Sequence, residues 1–167
     1  MRRVISAMVL GGALVLGLGC AGTAEMLGDM AGLDLQMKLG DAAVHPADFP
    51  ATAPEGGAKQ MSLALTTSSD AVNLPEGVSI ELDEGAMYRT ELITYQLPPA
   101  DVDAAVRAAV GELTAASFEE KPVKEAPEEA QVHLFAKGTT MFLVMGGAEE
   151  GDDGVLVLMR LEPAPAE

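Results

Sequence analysis

Alternation of apolar and polar residues is the dominant signal from Leu33 onward. Leu33, Leu35, Met37 and Leu39 are separated by Asp34, Gln36 and Lys38, the period of two expected of a half-buried strand. The same period returns over Lys59 to Thr67, where Met61, Leu63 and Leu65 alternate with Ser62, Ala64 and Thr66, and over Val78, Ile80 and Leu82. Met87 to Gln96 is rich in β-formers (Tyr88, Thr90, Ile93, Thr94, Tyr95) and stops before Pro98-Pro99. A helical period then takes over. Val102, Val106, Ala109, Val110, Leu113 and Ala116 fall on one stripe, Pro99 suits a first-turn position, and Asp101 and Asp103 sit where the helix dipole favours acids. Beyond the helix, Phe118 to Lys124 begins a weak strand, interrupted by Pro122 and Pro127 in an acidic loop. Gln131 to Lys137 alternates Val132 and Leu134 against His133 and Phe135, Lys137-Gly138-Thr139 predicts a hairpin turn into Thr140 to Met145, and Val155 to Leu161 is the last strand.

Strands, then one helix, then three further strands predict an α+β fold, an antiparallel sheet of about five to seven strands with one amphipathic helix packed on one face. The folded domain spans 33–162, and 163–167 reads as a disordered tail. Residues 44–57, with Pro46, Pro50 and Pro54 and a closing Gly pair, read as an extended connector. Residues 20–32 are small and polar apart from Met26, Leu27 and Met30, and read as a tether.

The segment before the tether has a different pattern. Arg2 and Arg3 precede Val4 to Gly19, an uncharged run whose single polar side chain is Ser6. At roughly sixteen residues it is short of the ~20 that a helix needs to cross a bilayer core, so residues 1–19 read as a signal peptide. Leu16-Gly17-Leu18-Gly19 leads directly into Cys20, which resembles the lipobox of bacterial lipoproteins, with Gly17 where that family usually has Leu. The resemblance implies that the Cys20 thiol receives a diacylglyceryl group, that the bond before it is cut, and that the new amino terminus is acylated. Ala21 after the cysteine, rather than Asp, resembles an outer-membrane address. Asp48-Phe49-Pro50, Pro54 and Gly57-Ala58 also resemble a pattern in uncharacterised exported lipoproteins, which implies two strands, a helix and a final antiparallel meander but carries no activity.

Composition narrows what such a domain does. Cys20 is the only cysteine, so lipidation consumes the thiol and leaves no disulfide, thiolate metal site or cysteine nucleophile. The formal net charge is −16, and loss of Arg2 and Arg3 makes it two units more negative. Such a surface repels phosphate backbones, which argues against nucleic acid as a partner and leaves the lipid as the means of membrane attachment. With no Trp, two Tyr and four Phe, the core is aliphatic and an aromatic platform for sugars or bases is not expected.

Candidate chemistry is sparse. Glu149, Glu150, Asp152 and Asp153, with Gly151 and Gly154 for tight turns, offer hard oxygens to calcium without EF-hand spacing. Met26 with Met30, or Met141 with Met145, would bring two soft thioethers together for Cu(I), although a chain poor in aromatics also fills its core with Met. His45 precedes Pro46 in the connector, and His133 points to the strand face opposite Val132 and Leu134, where solvent or a partner is the default. Neither has nucleophile-elbow, zincin or triad patterning, so no catalytic residue and no cofactor is expected. Glu119-Glu120-Lys121 and Glu128-Glu129 read as a solvated rim. The expectation is a non-enzymatic binding or assembly module, lipid-anchored in the cell envelope, on the outer membrane facing the periplasm, with another envelope protein as partner. A small-ligand or metal-ion (Ca or Cu) binding lipoprotein and a hydrolase are the alternatives, both requiring a cleft between helix and sheet or a metal-binding loop.

Overall fold

The computed structural model describes residues 35–72, 74–75, 77–148 and 153–165. The expected signal peptide and tether, with Cys20, Met26 and Met30, lie outside the described residues, as do Glu149, Glu150 and Asp152. The described chain forms one antiparallel sheet of seven strands with a single helix packed on one face. The strands are β1 (Leu35–Leu39), β2 (Ala58–Ser68), β3 (Met87–Leu97), β4 (Glu119–Lys121), β5 (Ala130–Lys137), β6 (Thr140–Gly147) and β7 (Gly154–Pro163), and α1 is Val102–Ala115. Their spatial order is β1-β2-β3-β7-β6-β5-β4. The last strand therefore lies in the middle of the sheet. It also runs through Pro163, with Ala164 N donating to Met87 O at 2.8 Å, so the segment expected to be a tail begins inside the sheet.

The helix follows its sequence pattern. Val102, Val106, Ala109 and Leu113 are its buried residues, spaced to face one side, and Pro99–Asp101 precede it as a 3-10 turn. Its far end is closed by Ser117 in the left-handed region (φ 67°), with Phe118 N bonded to Leu113 O and Ser117 N to Thr114 O, both at 3.0 Å. This is the Schellman arrangement, which satisfies carbonyls that the last turn would leave unpaired. At its near end α1 sits directly on strand backbone. A Cβ at Gly146 would fall 2.2 Å from Val106 Cγ2, and one at Gly154 2.2 Å from Val102 Cγ2. Only glycine permits that approach, which sets the helix against strand backbone at Val102 and Val106.

Both faces of the central strands are buried. On the helix side Ile93, Tyr95, Phe135, Phe142, Val144 and Leu158 are all at most 1 % exposed. On the other side Leu143, Met159 and Leu161 are fully buried beneath a cover that includes Val78 and Ile80. Here the expected strand over Val78, Ile80 and Leu82 is corrected: the segment joins no strand and makes only an isolated bridge between Ser79 and Glu125. Its alternation has another cause. An extended chain lying flat on a sheet face turns every second side chain inward, just as a paired strand does.

Candidate functional site

Helix α1 packs over β5, β6 and β7, which leaves the neighbouring part of the same face to another element. That element is residues 43–52, the stretch that sequence reads as a proline-rich connector. Ala43, Phe49 and Ala51 are buried at 1 %, 6 % and 0 % exposure. The strap is pinned at both ends. Val44 N donates to Ser62 Oγ at 3.0 Å and Lys59 Nζ to Ala43 O at 2.9 Å, while Thr52 N and Oγ1 donate to the Glu112 carboxylate of α1 at 2.6 and 2.7 Å. The expected extended connector is not extended here: a turn over Pro46 to Phe49, closed by Phe49 N donating to Pro46 O at 3.1 Å, lays Phe49 edge-on against Phe142, with ring centroids 4.7 Å apart.

Under the strap lies the most heavily buried charge cluster among the described residues. Arg160 of β7 and Glu91 of β3 are cross-strand partners whose side chains are 11 % and 12 % exposed and form an ion pair. Asp48 of the strap completes it at 2.7 Å from Arg160 Nη1, and the guanidinium also lies over the Phe49 ring, 5.2 Å from its centroid. Arg160 holds the Asp48 carboxyl below its ordinary value. Arg160 Nε has no hydrogen-bond partner among the described residues, and Glu162 Oε1 stands off at 3.8 Å. Sequence reading passed over this cluster, although Arg160 is the one charged residue in the apolar run Val155 to Leu161. A lone arginine in such a strand requires a buried carboxylate partner, and that signal was available.

His45 forms the second polar centre of the strap. Its Nδ1 and the Tyr95 hydroxyl share a hydrogen bond at 2.6 Å, and its ring packs edge-on to Phe49. Burial pulls the imidazole below its ordinary pKa of 6.5, opposed by the Ala51 backbone and Glu112, and burial pushes the Tyr95 hydroxyl up to about 12. The sign for stability follows. A histidine that is harder to protonate in the folded state contributes fully above pH 6.5, and its contribution is lost as the pH falls from there through the lowered native value. Urea midpoints of the wild type are thus expected to drop more between pH 7.5 and 5.5 than those of His45→Gln, and equal drops would remove His45 as the cause.

The other candidates are dispersed. His133 is not free on its face: its Nδ1 lies 2.8 Å from Glu120 Oε1, which ties β5 to β4. Met141 and Met145 do share a face, the one away from α1, where Met145 is 6 % exposed within the apolar cluster. Asp153 is exposed and accepts from Gln96 Nε2. Among the described residues no group of three or more His, Cys, Asp or Glu is arranged to hold a metal ion, and no helix is long and apolar enough to cross a membrane. A shallow cavity of about 260 Å³ lies at the start of α1, lined by Val102, Asp103, Glu128, Glu129 and Gly146 among others. Its acidic rim offers no convergent donor and acceptor set. What the strap cluster can do chemically is hold: the guanidinium, the imidazole and the Glu112 carboxylate each meet partners from another segment of the chain. Comparison with known proteins finds no matching family model, no matching curated protein and no matching solved structure.

Proposed function

We propose that the protein is a lipid-anchored component of a bacterial cell envelope, held to the outer membrane through Cys20 and acting in the periplasm as a non-enzymatic binding or assembly module. The observation that carries this reading is the basic start and apolar run that end on the chain's single cysteine. The geometry of the domain is consistent with it. Its buried polar groups serve as joinery between segments, and Val106 packs directly on Gly146 between helix and sheet. Recognition is therefore assigned to the outer surface, with another envelope component as partner. Replacement of Cys20 by serine is expected to abolish metabolic labelling with a fatty acid, to change the mature mass by the missing lipid, and to move the protein out of the membrane fraction. Unchanged label, mass and fractionation would end the reading.

A further inference from the structure

The β1–β2 edge combines exposed apolar side chains with strands free of acidic residues. In a chain with 26 Asp and Glu, these two strands contain Lys38 and Lys59 and no carboxylate. On the face away from α1, Leu39 pairs with Met61 and Met37 with Leu63. Leu39 is 49 % exposed, and Met37, Met61 and Leu63 are only half-buried. On the other face Val44, held to Ser62 of β2, is 51 % exposed. Two of the three large apolar residues most exposed among the described residues thus flank one edge, one on each face.

The two edges of the sheet also differ. At one end β4 reads Glu119-Glu120-Lys121 and is followed by Pro122, the charges and proline that keep an edge from associating. At the other, β1 presents Met37 at its centre and a single lysine. The chain enters the domain at β1. Fifteen residues separate Cys20 from Leu35, at most about 50 Å even of fully extended chain, so an anchor at Cys20 keeps this edge near the lipid surface at a high effective concentration. A patch too weak to bind alone suffices under those conditions.

We propose that the β1–β2 edge docks on the membrane that carries the anchor. Leu39, Val44, Met37 and Met61 enter the headgroup–acyl boundary, and Lys38 meets lipid phosphates. The acidic remainder of the domain is turned away, because the same headgroups repel it. The inference rests on the reading that Cys20 is lipidated, and it adds an orientation to it: α1 and the far end of the strap at Thr52 are held off the bilayer, free to meet a partner.

The chain has no tryptophan, so single tryptophans report cleanly. Full-length Leu39→Trp and Val44→Trp proteins, and an Ala104→Trp control on the exposed side of α1, would be purified from membranes and reconstituted in phosphatidylethanolamine–phosphatidylglycerol vesicles with and without brominated acyl chains. Leu39→Trp and Val44→Trp are expected to be quenched about twofold or more by the brominated lipid and shifted to the blue, with the control unaffected. Two positions are used so that a fold defect in one, visible by circular dichroism, does not decide the matter. Vesicle-bound protein with both probes exposed to solvent overturns the docking and leaves the anchor standing. Probes shielded from solvent but not quenched, with concentration-dependent crosslinks between copies, place a second copy on the edge and also overturn it. Protein of unmodified mass that does not float with vesicles overturns both readings.

Discussion

Truncating Phe49 to alanine is expected to lower the unfolding free energy by about 3–5 kcal/mol, the usual cost of deleting a buried phenylalanine. The ring is 6 % exposed and touches three different groups: the edge of Phe142, the His45 ring at 5.6 Å between centroids, and the Arg160 guanidinium. Because it is the one large apolar side chain among the strap's buried residues, its loss frees residues 43–52 from the sheet while β1 and β2 stay paired. Urea denaturation gives the size of the effect, and proteolysis tests the mechanism: the variant is expected to be nicked between Val44 and Thr52 under native conditions. A loss below about 1 kcal/mol would show that the strap is held by its end hydrogen bonds and not by Phe49.

Replacing Arg160 by leucine should cost up to about 3 kcal/mol, because it leaves the buried Glu91 carboxylate with Arg89 alone, a partner 2.8 Å away whose own side chain is 60 % exposed. The diagnostic is the cycle. Glu91→Leu alone leaves Arg160 with only the exposed Asp48 and the distant Glu162, and should also destabilise, whereas the double variant Arg160→Leu with Glu91→Leu is expected within about 1–2 kcal/mol of wild type. Asp48→Asn should matter little, since Asp48 is 69 % exposed and pairs of that kind contribute about 0–1 kcal/mol. Additive single-variant losses in the double variant would mean that the two residues act separately and that the ion pair is not the source of the effect.

Most of the sheet could be read from the chain because its signal is local. Met61, Leu63 and Leu65 alternate with small polar residues within one strand, and Val102, Val106 and Leu113 repeat at the helical period within one helix, so neighbouring residues suffice to reveal them. The strap could not be read in this way. Its buried content is two alanines and one phenylalanine among prolines, and its attachments join residues far apart in sequence: Asp48 to Arg160, Thr52 to Glu112, His45 to Tyr95. The Val78–Leu82 misreading has the opposite origin. There the alternation is real and the burial is real, but what lies beneath is a sheet face and not a neighbouring strand. Gly154, which in sequence suits a tight turn of the acidic loop, has a steric meaning instead, as has Gly146: they are the places where α1 lies against strand backbone.

The position of β7 bears on when the chain can fold. A ribosome delivers the β1–β2–β3 group first and the β4–β5–β6 group afterwards, yet within the sheet the two are joined through β7, which pairs with β3 on one side and β6 on the other. Until its ten residues emerge, neither half has a partner for its inner edge, and the apolar rows that β7 supplies to both faces are missing. Closure of the sheet thus waits on the strand made last among the seven, and β7 acts as the latch between two groups that precede it in the chain.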